Sequence, residues 1–76
     1  MYSLDCVVLE EYVRYERMKA LCREELRRLP KSEPVQRQRY KTQLRGLQRT
    51  QRHIRSALSP AGRRELVRRI KEIFAV

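Results

Sequence analysis

The sequence predicts an all-α protein, a long antiparallel helical hairpin followed by a shorter C-terminal helix. Three observations support this fold class. The 76 residues are 41% hydrophobic and 37% charged, with two Gly and no Trp, which suits amphipathic helices better than sheets. Apolar residues recur every three or four positions along most of the chain. Pro30, Pro34 and Pro60 divide this pattern into three segments, which we expect to form a single domain over residues 1–76.

Helix 1 is predicted over residues 3–29, with Ser3 as its N-cap and a stop at Pro30. Its apolar residues fall within roughly 60° of one direction at 100° per residue. This stripe consists of Leu4, Val8, Tyr12, Tyr15, Met18, Cys22, Leu26 and Leu29. A smaller apolar group lies on nearly the opposite side. Its members are Leu9, Val13 and Ala20. We interpret the smaller group as a surface for self-association, although scattered exposed apolar residues are also common.

Helix 2 is predicted over residues 34–58, with Ser32 as its N-cap and Pro34 in its first turn. One set of positions is spaced 4, 3, 4, 3 and 4, the spacing of a heptad seam. This apolar seam consists of Tyr40, Leu44, Leu47, Gln51, Ile54 and Leu58. Gly46 lies beside the seam and costs roughly 1 kcal/mol of helix stability relative to Ala. Its presence suggests a close approach by a helix or a ligand backbone.

Helix 3 is predicted over residues 60–75, with Ser59 as its N-cap and Pro60 at its first position. Its apolar face consists of Leu66, Val67, Ile70, Ile73 and Phe74. The short connection after helix 1 makes helices 1 and 2 antiparallel neighbours, and helix 3 should fold over one end of that hairpin. A chain of this size buries only about 60% of its unfolded surface. We therefore expect a homodimer that completes a four-helix bundle.

The net charge of +10 is unevenly distributed along the chain. Residues 1–33 contain seven basic and seven acidic side chains, whereas residues 34–76 contain twelve basic side chains and only Glu65 and Glu72. Fifteen of the nineteen basic residues are Arg, which binds phosphate with two parallel hydrogen bonds. A GC-rich gene or an overlapping reading frame would give the same Arg excess. The charge pattern predicts a structural role for residues 1–33 and a surface that binds a polyanion within residues 34–76.

A basic face is predicted on helix 2 opposite the apolar seam. The basic face consists of Lys41, Arg45, Arg49, Arg52 and Ser56, and Arg37, Gln48 and Arg55 lie on its flanks. The helix should be about 37 Å long, close to one turn of a B-form duplex at roughly 34–36 Å. An ordinary solvated face would mix charges, because acidic residues one turn from Arg stabilise a helix. The absence of any acid favours phosphate binding, with the polar residues bonding to phosphate or sugar oxygens.

The residue inventory gives no support for an enzyme. His53, the single histidine, has no Cys, Asp or Glu at ligand or triad spacing, and Gly46 and Gly62 do not form a phosphate loop. We expect no metal, no cofactor and no small-molecule substrate. Cys6 and Cys22 would lie about 24 Å apart on one helix, too far for an internal disulfide. They fit a reduced intracellular protein, or less simply an intermolecular bridge.

The N-terminus does not resemble a signal peptide, and no stretch is apolar enough to span a membrane. We expect a cytoplasmic or nuclear location without membrane association.

Single-strand binders usually expose aromatic stacking platforms. Here Tyr12, Tyr15, Tyr40 and Phe74 all fall on predicted apolar faces. The basic helix 2 carries no zinc ligands, and it forms no convincing helix-turn-helix with helix 3. Recognition of the shape of a duplex backbone therefore fits best.

The end of helix 2 carries a short pattern of Arg, three residues, Ser, one residue and Leu, with a Pro shortly after. It consists of Arg52, Ser56, Leu58 and Pro60. With the chain length and the order of the three helices, this pattern resembles the small nodaviral suppressors of RNA silencing, which bind double-stranded RNA. The resemblance implies an antiparallel dimer that forms a four-helix bundle. Its flat face would lie along duplex RNA without reading sequence and would shield it from dicing and loading, with Arg52 and Ser56 as RNA contacts.

These arguments lead to a homodimeric binder of double-stranded RNA, a viral silencing suppressor acting in the host cytoplasm. One alternative is a small DNA-binding regulator of the phage type that uses helices 2 and 3. Another is a helical adaptor that binds an acidic protein through the basic face or through the smaller apolar group of helix 1. A salt-dependent preference for duplex RNA would separate the first hypothesis from the other two.

Overall fold

The computed structural model describes residues 5–75, which form three α-helices and no strand. The helices are α1 (Cys6–Arg28), α2 (Pro34–Ala57) and α3 (Pro60–Phe74). Helices α1 and α2 pack side by side as an antiparallel hairpin, and the shorter α3 makes fewer close approaches to them. The molecule is elongated, with principal dimensions of 52 × 27 × 17 Å. The predicted fold class, a helical hairpin with a shorter third helix, is confirmed.

Two of the helix starts have side-chain caps. The Asp5 Oδ1 accepts a hydrogen bond of 2.8 Å from the backbone N–H of Val7. The predicted cap Ser3 lies outside the described residues. The Ser59 Oγ accepts from the backbone N–H of Gly62 at 3.1 Å, and Pro60 occupies the first turn, so the predicted start of α3 is confirmed.

The predicted N-cap of α2 is wrong. Glu33, not Ser32, occupies this position, and no side chain caps the helix. The reason is the tight turn that joins α1 to α2, in which the N–H of Glu33 donates to the carbonyl of Pro30 at 3.1 Å. This turn places Ser32 one residue before the cap. Pro34 does occupy the first turn of α2, as predicted, where its missing N–H costs nothing.

The core lies between α1 and α2, along the predicted stripes. Its buried members on these stripes are Tyr12, Cys22, Leu47 and Gln51. Every residue of the apolar seam of α2 is at least half-buried. A Cβ added to Gly46 would meet nothing within 4 Å, so residues 5–75 do not make the close approach predicted there.

The smaller apolar group of α1 is partly buried within the chain. Val13 is only 8% exposed, and Leu9 is half-buried. The apolar face of α3 supplies the fully buried Leu66, but Val67, Ile73 and Phe74 remain 49%, 43% and 42% exposed. Ala20, the third member of the smaller apolar group of α1, is exposed.

Arginine side chains close both helix connections. The Nη1 atom of Arg37 donates to the carbonyls of Leu26 and Leu29 at 2.7 and 2.9 Å, which satisfies two of the unpaired acceptors at the end of α1. In the same way, the Nη1 atom of Arg63 donates to the carbonyl of Leu58 at 3.2 Å at the end of α2. Each of these arginines binds the end of one helix from the first turns of the next.

We expect Arg37→Met to lower the free energy of unfolding by about 1.5–3 kcal/mol, because it removes a charged donor from two carbonyls of the connection. Urea unfolding followed by circular dichroism measures this change. Arg39→Met is the matched control, since Arg39 is exposed and lies on the other flank of α2. It should change stability by no more than about 0.5 kcal/mol. Equal effects of the two substitutions would contradict the role assigned to Arg37.

Candidate nucleic-acid interface

The structure leaves the basic face of α2 open along the whole helix. Lys41, Arg45, Arg49, Arg52 and Ser56 are all exposed. They lie opposite the buried seam, because α2 continues without interruption for 24 residues and keeps one helical phase. At 1.5 Å per residue the helix is about 36 Å long. The geometry therefore provides a continuous row of donors with no acidic residue among them.

Acidic partners neutralise cations on α1 and α3 but not on α2. Within residues 5–75, each ion pair lies inside α1 or inside α3. Lys19 pairs with Glu16 at 2.9 Å, for example, and Arg68 pairs with Glu65 and Glu72. The basic face of α2 consequently keeps its full positive charge, and its neighbouring like charges repel one another.

The predicted flanking residues have different surroundings. Arg37 donates to the carbonyls at the end of α1, so its side chain is drawn away from the basic face. The Arg55 Nη1 donates to the hydroxyl of Tyr12 and is half-buried. Gln48 is also half-buried, and Ser56 donates to the carbonyl of His53 at 3.0 Å while remaining exposed. Only Gln48 and Arg55 extend the basic face towards α1.

A polar cleft lies between α1 and α2 next to the basic face. It has a volume of about 340 Å³ and is lined by Lys19, Gln48, Gln51, Arg52 and Arg55. Sequence reasoning missed Lys19, because the balanced charge of the first 33 residues assigned a purely structural role to α1. Lys19 follows Tyr12 by seven residues, which places both on the same side of α1. The seven-residue spacing was the signal in the sequence that could have placed Lys19 on the same side of α1 as Tyr12.

Gln51 forms the floor of the polar cleft and joins the two helices. Its Nε2 donates to the Glu16 Oε1 at 2.9 Å and to the Tyr12 carbonyl at 3.4 Å. Gln51 is only 1% exposed, and its Oε1 has no hydrogen-bond donor within the described residues. A buried acceptor without a donor is uncommon in folded proteins.

The carboxylate of Glu16 is held in its ionised form. Partial burial on its own would raise the pKa of Glu16, but hydrogen bonds from Lys19 and Gln51 and the charges of Lys19 and Arg23 outweigh it. The pKa therefore lies below its ordinary value of 4.5. Near neutral pH, Glu16 accepts hydrogen bonds and cannot donate one.

The opposite side of the hairpin carries an apolar outer groove of about 330 Å³. The outer groove is lined by Met18, Leu21, Cys22, Glu25, Tyr40 and Gln43. Leu21 is 62% exposed at its edge. Val35 is 72% exposed at the start of α2. The two sides of the hairpin therefore differ, since one is cationic and polar and the other is partly apolar.

Other chemistry finds little support in the part of the chain that the structure describes. Residues 5–75 bring together no group of His, Cys, Asp or Glu suited to a metal ion. His53 is exposed, and Cys6 and Cys22 are free thiols, one exposed and one buried. None of the three described helices has both the length and the apolar character to cross a bilayer.

Comparison of the chain with models of protein families, with curated proteins and with solved structures gives no match.

We expect Glu16→Gln to reduce stability at pH 7, because the substitution removes an ionised acceptor from Lys19 and Gln51. The lowered pKa means that this stabilisation is present above pH 4.5 and is lost as the pH falls through the pKa of the folded state. Urea unfolding of both proteins between about pH 7 and pH 3 should show the difference shrinking.

Glu11→Gln serves as the control, since it removes an exposed carboxylate from α1 outside the cleft. It should change stability by less than about 1 kcal/mol at pH 7. A difference for Glu16→Gln that stays the same from neutral to acidic pH would contradict the assignment.

Proposed function

We propose that this chain binds double-stranded RNA through the basic face of α2 without reading its sequence. One observation carries the proposal: α2 presents exposed cations along its length, and no ion pair among residues 5–75 neutralises them. Keeping like charges together costs a few tenths of a kcal/mol per neighbouring pair. A regular polyanion removes that repulsion and releases its own counterions on binding.

The shape of the face favours a duplex as the polyanion. A straight α2 of about 36 Å matches roughly one turn of a nucleic-acid helix, so its cations can meet successive phosphates along a groove. A flexible single strand is usually held on exposed aromatic rings. Among the described residues, Tyr12 is buried, Tyr15 and Tyr40 are half-buried, and Phe74 lies on α3. The basic face thus offers charge and hydrogen bonds but no stacking platform.

The choice of RNA over DNA rests on the sequence resemblance and on the polar residues among the cations. Gln48 and Ser56 lie among the Arg side chains and bond readily to ribose oxygens. Binding by shape and backbone requires no base contact, so many duplexes would be accepted. Occupying the duplex would then block dicing and loading in the host cytoplasm, which is the action of a viral suppressor of RNA silencing. This mechanism requires no catalytic group.

A homodimer would form through the outer groove. Leu21 is the exposed large apolar residue of this groove, and burying it against a second copy would add to the core that a small domain lacks. Gly46 has open space around it and allows a second helix to approach closely. The basic face and the polar cleft would both stay uncovered, and the number of phosphate contacts would double.

We expect Arg49→Glu combined with Arg52→Glu to abolish duplex RNA binding without loss of helicity, because both side chains are exposed and lie off the seam. Fluorescence anisotropy with a blunt duplex of about 20 base pairs measures binding. The wild-type dissociation constant should rise about 10³-fold or more between 50 and 200 mM salt, as expected for six or more phosphate contacts.

The matched control is Arg14→Glu combined with Arg28→Glu, which makes the same change in net charge on α1, where both arginines are exposed and paired with acids. It should retain most of the affinity. Equal losses in the two double variants would mean that net charge alone attracts RNA. Equal displacement by duplex DNA would favour the DNA-binding alternative, and a salt-independent failure to bind either duplex would favour an acidic protein as the partner.

We expect Leu21→Glu to convert the dimer into a monomer, because it places a charge in the outer groove. Sedimentation equilibrium or light scattering measures the mass. Val67→Glu is the control, since it charges another exposed apolar residue on α3, away from the groove. A monomeric wild-type protein, or a Leu21→Glu variant that remains dimeric, would exclude this dimer surface.

A further inference from the structure

The polar cleft brings three cations and one carboxylate together. Lys19, Arg52 and Arg55 line it from both helices. The carboxylate is that of Glu16, which pairs with Lys19 at 2.9 Å. Arg52 and Arg55 take part in no ion pair within residues 5–75. One negative charge therefore faces three positive charges, and the cleft keeps two positive charges that no carboxylate compensates.

The cations of the cleft are withdrawn from water to different degrees. The Lys19 side chain is only 11% exposed, Arg55 is half-buried, and Arg52 is exposed. The walls of the cleft are mainly polar, which indicates that the nitrogen-bearing ends of these side chains face it and their methylene stems do not. Placing like charges together away from water is costly unless an anion compensates them.

Each anchored cation of the cleft keeps donors for a ligand. Lys19 uses one of its three N–H groups on Glu16, and Arg55 uses one of its five on the Tyr12 hydroxyl. These contacts fix the two side chains and leave their other N–H groups available. Gln51 is only 1% exposed and bonds to α1, so it holds the walls of the cleft at this spacing and does not meet the ligand.

From these contacts we infer that the polar cleft binds a terminal phosphate of an RNA strand, a phosphate monoester whose oxygens accept hydrogen bonds from Lys19, Arg52 and Arg55. The inference rests on the function proposed above and names the part of the RNA that the cleft selects. The cleft takes the end of a strand, whereas the basic face meets the phosphates along its length.

Charge separates a terminal phosphate from the phosphates inside a strand. A phosphate monoester carries about −1.5 to −2 charges near pH 7, whereas each phosphate that links two nucleotides carries one. The two uncompensated positive charges of the cleft are therefore balanced by one monoester. A linking phosphate would balance only half of them.

The position of the cleft also favours a strand end. Arg52 and Arg55 lie in the last two turns of α2, after Lys41, Arg45 and Arg49 of the basic face. A strand that follows the basic face therefore reaches the cleft at one end of the row of cations. A linking phosphate is held by the chain on both sides. A terminal phosphate has a single link, so it can turn into the recess between the two helices.

The test compares duplex RNAs of one sequence and about 12 base pairs, just over one helical turn, that differ only at their strand ends. One duplex has hydroxyl ends, two have phosphate at the 5′ or the 3′ ends, and two have the singly charged methyl esters of those phosphates. For the wild-type protein, we expect phosphate at one kind of end to tighten binding about tenfold or more, the effect of a charge-assisted hydrogen bond. The methyl ester should bind about fivefold more weakly than the free phosphate, the effect of one partly exposed charge pair.

The Lys19→Met variant removes one charge of the cleft from α1, off the basic face. It leaves a single uncompensated charge, so the free phosphate and its methyl ester should bind equally. Lys41→Met is the matched control, because it makes the same change on the basic face outside the cleft. It should weaken the binding of all duplexes by the same factor and keep the difference between phosphate and ester. The comparison within the wild-type protein stands even if Lys19→Met fails to fold.

The outcomes separate this inference from the proposed function. Tight duplex binding that is the same for phosphate and hydroxyl ends would overturn the terminal-phosphate site and leave the proposed function intact. Equal binding of the free phosphate and the methyl ester by the wild-type protein would overturn the selection of a monoester. Discrimination that persists in folded Lys19→Met would overturn the assignment to the cleft. Failure to bind any duplex would overturn both the inference and the proposed function.

Discussion

The pairing of α1 with α2 depends on Gln51, a polar residue in the middle of an apolar seam. Its amide donates to two acceptors on α1, the Tyr12 carbonyl and the Glu16 carboxylate. Leucine at this position would pack with α1 in several registers, whereas an amide that must meet two fixed acceptors permits one. That register also brings Lys19 of α1 next to Arg52 of α2. The contact that aligns the hairpin therefore assembles the polar cleft as well.

Sequence periodicity was sufficient to predict the three helices and the basic face. The 4-3 spacing from Tyr40 to Leu58 fixes which side of α2 is buried, and a straight helix then leaves only one position for the opposite face. This deduction needs no knowledge of the partner helix. The exposure of Arg45 and Arg49 and the burial of the seam both follow from the phase of this one helix.

Contacts between helices could not be predicted in this way. The burial of Val13, on the side of α1 away from its main apolar stripe, depends on tertiary packing. Ser32 is a preferred N-cap residue and Glu33 is not, yet the geometry of the turn places Glu33 at the N-cap. Long side chains are hardest to place, because an arginine reaches several partners from one backbone position. Arg37 has the same chemistry as its exposed neighbours, yet it binds the carbonyls that end α1.

The arginines of this chain therefore differ in the groups that they bind. Arg37 and Arg63 donate to backbone carbonyls at the ends of helices, so part of their hydrogen-bonding capacity is used inside the molecule. Arg68 lies between two carboxylates, which compensate its charge. Arg45 and Arg49 have no such compensation, and their repulsion opposes the helix that carries them. A bound polyanion would remove this repulsion, so binding and the stability of α2 would be linked. The basic face of α2 thus weakens the free protein and would be stabilised by a bound polyanion.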